Sequence, residues 1–308
     1  MAAATTTGSV RDALAGATDA LEAAGVDSPR LDAELLLGEA TGWDRALLAA
    51  EPEAGIPATA GRLFGEMVRR RLRREPVAYI LGRKGFRHLE LAVDRRVLIP
   101  RPETELLVEL ALELRPRRVL DVGTGSGAIA LAIADELPGC EVVATDTSAA
   151  ALEVACANAE RLGLSDRVEL VEGMAPPATV TEDEARAGEV ASPTLAEPTF
   201  DLIVANLPYV AEAEWAGLEP EVTQWEPREA LLAGPEGLDA IRALLAADSV
   251  RYLSRSAQQK ANGGGVLALE VGEGQAEAVS ALMRESGFGA IETRADLAGI
   301  PRVVWGRW

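Results

Sequence analysis

Three short stretches of this 308-residue sequence combine residue types that can do chemistry. The first is Asp121-Val122-Gly123-Thr124-Gly125-Ser126-Gly127, which follows an apolar run. Glycine permits a tight turn and lets a ligand come close to the backbone. With 29 glycines in the chain, such spacing can arise by chance, so its place between a strand and a helix is what informs. The second is Asp146, which ends the run Glu141–Asp146 about 20 residues downstream, where a carboxylate can accept both hydroxyls of a ribose. The third is Asn206-Leu207-Pro208-Tyr209, directly after the apolar run Phe200–Ala205. An Asn side-chain oxygen and a backbone carbonyl can each accept one N–H of a planar NH₂ group. Pro208 stiffens the turn that aims the carbonyl, and Tyr209 offers a flat face.

An adenosine ribose is common to NAD and S-adenosylmethionine, so the glycine loop and Asp146 admit either. The third glycine comes two residues after the second rather than three, which favours S-adenosylmethionine over a dinucleotide. The Asn206 segment then points to methylation of an amide or amino nitrogen. An amide lone pair is delocalised into its carbonyl, and no base strong enough to free it is apparent. Orientation is the physical alternative: hold the NH₂ in line with the methyl donor and stabilise the positive charge that grows on nitrogen. The single histidine, His88, and the two cysteines, Cys140 and Cys156, support no metal site and no nucleophilic relay. They are expected to be a surface imidazole and buried thiols.

These residues need a scaffold that brings distant segments together. Apolar runs at Arg118–Val122, Glu141–Asp146, Val168–Glu172, Phe200–Ala205, Val266–Val271 and Arg302–Gly306 read as strands. Helical patterns at Ala128–Leu137, Ala149–Leu162, Leu238–Lys260 and Ala276–Ser286 lie between them. The alternation predicts an α/β fold, a Rossmann-like and mostly parallel sheet with helices on both faces. Residues 1–80 read as a small helical domain without strands. Val10, Leu14, Ala17 and Leu21 mark a first helix; Leu31, Leu35 and Leu36 mark a second, ending near Gly38. A third runs from Thr59 to Arg74 with Leu63, Phe64, Met67, Val68 and Leu72 on its apolar face. Residues 81–100 read as a β-hairpin linker turning at Asp94-Arg95-Arg96, and residues 101–308 as the catalytic domain. Within the latter, 175–199 carries four prolines and reads as a mobile insertion without chemistry.

A formal net charge of −19 disfavours a nucleic-acid partner and favours a protein or small-molecule substrate. The N-terminal residues lack the charged and apolar regions of a signal peptide, and no apolar run reaches membrane-spanning length, so a cytoplasmic protein without a membrane partner is expected.

The block Leu98-Ile99-Pro100-Arg101-Pro102-Glu103-Thr104-Glu105, together with Asp121–Gly127 and Asn206–Tyr209, resembles the peptide chain release factor glutamine methyltransferases, a class I methyltransferase family. Glu226-Pro227, Gly237–Asp239, Glu270-Val271-Gly272 with Gln275, and Asp296 with Arg302–Val304 extend the likeness. It implies transfer of a methyl group from S-adenosylmethionine, leaving S-adenosylhomocysteine, to the glutamine amide of the Gly-Gly-Gln motif in class 1 release factors, a step in translation termination. It also implies that Gly123, Thr124, Gly125, Ser126, Gly127 and Asp146 hold the cofactor, with Asn206 beside it, and that Asn206, Leu207, Pro208 and Tyr209 grip the glutamine. Arg101 would lie at the pocket rim. Position 207 is Leu where the family has Pro, and Gly173-Met174 stands where Asp and an aromatic are usual; Met174 would pack against adenine. Two alternatives remain open at this stage: adenine-N6 methylation of RNA or DNA, whose Asn-Leu-Pro-Tyr motif is similar, and a non-catalytic binding protein of the same fold. Arg69, Arg70, Arg73 and Arg74, followed by Arg83, Lys84, Arg87, Arg95 and Arg96, suggest a basic surface that steers an acidic face of the protein substrate.

Overall fold

A computed structural model describes residues 6–174, 199–246, 253 and 264–308. The chain forms two compact units: Met1–Arg83 with Glu219–Trp225, and Lys84–Leu218 with Glu226–Trp308. The seven-residue segment from Glu219 thus belongs with the N-terminal unit, although sequence order puts it far into the second.

In the first unit, α1 (Val10–Ala23) buries Val10, Leu14, Ala17 and Leu21, and the Ser9 side chain caps it by accepting from the Asp12 amide. α2 (Pro29–Thr41) departs from the reading above. Leu31 and Leu35 are exposed, and Ala33, Leu36 and Leu37 are buried. The helix also passes through Gly38, where a Cβ would stand 2.9 Å from the Trp43 carbonyl, and ends at Gly42 with φ of 74°. Gly38 therefore allows close approach within the helix, and Gly42 provides the stop. Two further short helices, α3 (Arg45–Ala50) and α5 (Val77–Leu81), and a two-stranded sheet of β1 (Thr6–Ser9) with β2 (Gly55–Pro57) complete a unit expected to be helical only.

α4 (Ala58–Leu72) buries Ala60, Phe64, Met67 and Arg71, a helical stripe whose fourth member is an arginine; Leu63 and Leu72 are exposed. Arg71 is 6% exposed and binds Asp32 at 2.7 Å and Glu221 at 2.6 Å. Burial raises the Asp32 carboxyl above its ordinary range even with Arg71 pulling it down. The neighbouring arginines are also engaged internally. Arg70 is forked onto Glu75, and Arg74 onto Glu221 with a further contact to Glu219. Arg83 pairs with Glu39, Arg87 with Glu136, and Arg96 with Asp94 and Glu153. Arg70, Arg74, Arg83, Arg87 and Arg96 of the expected basic surface are thus paired with carboxylates of the same chain, whereas Arg69, Arg73 and Arg95 are exposed.

The second unit opens with a hairpin, β3 (Arg83–Phe86) and β4 (Leu89–Ala92). It turns at Arg87-His88, with Arg87 at φ of 53°, and not at Asp94–Arg96; Val97 and Ile99 are buried outside any strand. Apolar alternation alone did not distinguish a strand from an extended segment fixed by side chains. α6 (Glu105–Leu114) follows, then β5 (Arg118–Val122), α7 (Ala128–Glu136), β6 (Glu141–Asp146), α8 (Ala149–Leu162), β7 (Val168–Glu172) and β8 (Leu202–Ala205). After α9 (Pro220–Trp225), which belongs to the first unit, come α10 (Asp239–Ala246), β9 (Val266–Glu270), α11 (Ala276–Glu285), β10 (Gly289–Ala295) and β11 (Pro301–Arg307). The sheet order is β10-β11-β9-β8-β5-β6-β7, parallel from β9 to β7 and antiparallel at β11 and β10. Alternate strand residues face opposite sides: Val119, Leu202 and Val204 pack with α6 and α7, whereas Leu120, Ile203 and Ala205 pack with α10 and α11. β10 escaped the sequence reading because its side chains are mostly exposed, so it shows no apolar alternation. The 175–198 part of the expected insertion, and residues 247–260 of the expected long helix apart from Leu253, lie outside the described residues.

Arg71→Ala should cost about 3–5 kcal/mol in urea unfolding, because it leaves the buried Asp32 carboxylate without its cation. Replacing the pair together, Asp32→Leu with Arg71→Met, should recover most of that loss. Equal destabilisation by the single and the paired replacement would show that packing, not charge, is what Arg71 supplies.

Candidate active site

The chain winds outward from β5 through β6 to β7, then returns to place β8 on the other side of β5. Strand order reverses between β5 and β8, and a crevice opens beyond their carboxyl ends at such a point. The register pairs Val122 with Ala205, so the next residues of each strand, Gly123 and Asn206, lie side by side. A Cβ on Gly123 would stand 3.1 Å from Leu207 Cδ2 and 3.8 Å from the Asn206 carbonyl oxygen, and Gly123 has φ of 76°. Glycine is needed there both for conformation and for space.

A cavity of about 310 Å³ occupies the crevice. Its wall brings together Gly123, Thr124, Gly125, Ser126, Asp146, Met174, Asn206, Leu207 and Pro208, along with Leu98, Pro100 and Thr104. Two expected residues are not on it. Gly127, at φ of 84°, precedes α7, and a Cβ there would meet Leu131 Cδ1 at 2.8 Å. Tyr209 is half-buried, and its hydroxyl reaches Glu270 Oε1 at 3.5 Å. Arg101 is held by Glu226, which also accepts from the Ile99 amide, so Glu226 fixes the backbone beside Leu98 and Pro100.

Asp146 takes part in the loop as well as the cavity. Its Oδ2 accepts from the Gly125 amide and its Oδ1 from the Ser148 amide, both at 2.9 Å. A carboxylate has about four accepting positions, so further ones remain for a ligand. Below the loop, Asp121 is fully buried and accepts from the Thr124 hydroxyl at 2.7 Å and from the Ala130 amide at 3.2 Å. Burial is the main reason its carboxyl is pushed up to about 7.

Asn206 donates from Nδ2 to Thr104 Oγ1 at 3.1 Å, and its Oδ1 is buried with no hydrogen-bond partner. The end of the tetrapeptide is secured by Gln275, which donates to the Tyr209 carbonyl at 2.8 Å and accepts from the Gly272 amide at 2.9 Å. Glu270, 2% exposed, closes the polar group behind Asn206. Burial, reinforced by the charge of Glu103, pushes its carboxyl up to about 7, and burial raises the Tyr209 hydroxyl to about 12. Sequence reading assigned no role to Thr104, Asp121 or Glu270. The available signal was acidic residues at or near the carboxyl ends of two apolar strands, the ends that line a ligand crevice. Cys140 is buried as expected, whereas Cys156 is exposed on α8. Among the described residues there is no cluster able to hold a metal and no helix long and apolar enough to cross a membrane.

Residues 12–82 match the PrmC N-terminal domain family, and residues 102–216 match the methyltransferase small domain family. The fold is also that of the hMettl16 catalytic domain solved with a MAT2A 3′UTR hairpin, at a TM-score of 0.51 and 17% identity, covering 70% of this chain and 74% of that one. Identity that low carries the fold alone. Similarity over nearly the whole chain is found with curated proteins. The release factor glutamine methyltransferase of Caulobacter vibrioides is 39% identical, over 94% of this chain and 93% of its own. That of Xylella fastidiosa strain Temecula1 is 42% identical over 96% of each. With both halves of the architecture present and the relatives aligned over nearly their whole length, the chain belongs to the release factor glutamine methyltransferase family.

Proposed function

We propose that this chain methylates the side-chain amide nitrogen of the glutamine in the Gly-Gly-Gln motif of class 1 release factors, using S-adenosylmethionine. The observation that carries the reading is Asn206, a residue that lines the cavity together with the glycine loop and whose side-chain oxygen is a buried acceptor with no partner. An orphaned buried acceptor costs about 1–3 kcal/mol, a cost removed when a donor arrives. A primary amide brings such donors.

The residues present also fit the cofactor. Gly123 and Gly125 keep side chains out of the crevice, Asp146 retains accepting positions for a ribose, and Met174 supplies an apolar, polarisable surface for a base. S-adenosylmethionine bound there supplies a methyl group activated by its sulfonium charge. The chain's own residues then position the acceptor. Asn206 Oδ1 and the Leu207 carbonyl each accept one N–H of the glutamine amide, hold its nitrogen face open, and stabilise the positive charge that develops on it. Pro208 stiffens that turn. The Leu207 side chain faces the core and is 8% exposed, so the departure from the usual Pro leaves the carbonyl available.

Incubation with cofactor carrying a labelled methyl group, and with either a class 1 release factor or RNA, should label the release factor at glutamine; label in RNA alone would overturn the reading. Asn206→Ala should lower kcat by about 10²–10³, the scale of removing one preorganised transition-state partner, with thermal stability retained. Asp146→Ala should weaken cofactor binding by about 1.5–3 kcal/mol in calorimetry, the scale of a charge-assisted hydrogen bond. Unchanged affinity in a folded variant would remove Asp146 from the cofactor site.

A further inference from the structure

Asn206 serves as an acceptor only if its amide faces the right way. The oxygen and nitrogen ends of a primary amide have nearly the same size, so packing alone does not choose between them. A half-turn of the side chain would present N–H groups to the incoming N–H of the substrate. The partner of Nδ2, Thr104, does not settle the matter by itself. A hydroxyl both donates and accepts, so Thr104 could equally donate to Oδ1 of a reversed Asn206.

What decides is where the hydroxyl hydrogen of Thr104 is committed. Thr104 is 3% exposed and hydrogen-bonds the Glu270 carboxyl, which is itself 2% exposed at the carboxyl end of β9. When that hydrogen is given to a carboxylate, Oγ1 has only lone pairs left for Asn206. Nδ2 must then face Thr104, and Oδ1 must face away from it. We propose that Glu270, acting through Thr104, is the positioning residue that fixes the direction of the Asn206 amide and so sets which way its acceptor points. The proposal rests on the assignment of Asn206 as the amide-binding group.

A consequence concerns pH. The groups acting on Glu270 are Glu103, which raises its pKa, and Thr104, Tyr209 and Arg302, which lower it; burial dominates and brings the carboxyl to about 7. Below that point Glu270 is protonated and can donate to Thr104, which frees the Thr104 hydrogen for Oδ1 of a reversed Asn206. Both orientations are then compatible with the network, and the productive one loses population. Activity should therefore rise with pH through the Glu270 transition.

The test uses the full chain, a class 1 release factor and S-adenosylmethionine. Thr104→Val should lower kcat about 10- to 100-fold while changing cofactor affinity less than about two-fold, and Thr104→Ser, which restores the hydroxyl, should recover most of the loss. Glu270→Gln should give a kcat without the rising limb, close to the acid plateau of the unsubstituted chain. A readout independent of turnover is the side-chain amide resonance of Asn206, identified by its loss in Asn206→Ala. It should shift with a midpoint near 7 in the unsubstituted chain, and be insensitive to pH in Glu270→Gln. An Asn206 resonance that does not move with pH, or unreduced kcat in Thr104→Val, overturns the positioning role. If Asn206→Ala is inactive in the same experiments, the proposed function stands without it; if Asn206→Ala is fully active, both fall.

Discussion

The site rests on the close approach of Gly123 and Leu207, where two paired strand ends meet and a φ of 76° favours glycine. Parallel pairing of β5 with β8 brings the two strand ends to neighbouring positions, and a methyl group on Gly123 would press on Leu207 Cδ2 at 3.1 Å. A small shift of β8 would relieve that contact, but it would also carry Asn206 away from the loop. The backbone of Gly123 and Thr124 is in turn held by the Thr145 carbonyl, one residue before Asp146. Three adjacent strands, β6, β5 and β8, are therefore locked in one register at their carboxyl ends. The glycine loop, Asp146 and the Asn206 turn share that register, which is why residues far apart in the chain can hold one geometry on rigid elements.

The same packing imposes an electrostatic cost. Asp121 and Glu270 both end up almost without solvent, each with one carboxyl oxygen lacking a partner, and each is pushed up to about 7. In both cases the folded chain keeps a proton at pH values where the unfolded carboxyl has released it. Their contribution to stability is therefore complete below the ordinary carboxyl range and is lost as pH rises through about 7. Hydrophobic residues at these places would be more stable in a core. Their location behind the loop and behind Asn206 is the pattern of polar groups kept for a site, where perturbed ionisation concentrates.

Particular elements show what the sequence made legible. α1 could be read because four apolar residues recur at helical spacing, and all four are buried. On α2 Leu36 is buried as its spacing predicts, but small Ala33 is buried while larger Leu31 and Leu35 are exposed. Size and hydropathy do not reveal which face a neighbour will cover. The glycine loop and Asn206 were legible because each sits at a strand end, and strand ends in an α/β sheet converge. Thr104 was not, since its relation to Asn206 spans 102 residues and depends on a hydroxyl that is unremarkable in sequence. Met174 is singled out only by the family resemblance, and it lies on the cavity wall.

Arg71 shows the same limit in the first unit, with a consequence for how charge is used. By spacing it belongs to the apolar stripe of Ala60, Phe64 and Met67, and by residue type it belongs on a solvated face. The chain resolves the conflict with Asp32 and Glu221, one from α2 and one from α9. Arg74 takes the second oxygen of Glu221, so one carboxylate serves two arginines and is held below its ordinary range by them. Within the arginine run, Arg70 and Arg74 are tied to carboxylates of the same unit, whereas Arg69 and Arg73 are exposed. With 49 acidic against 30 basic residues, arginines tied up in this way leave still less positive charge for long-range attraction.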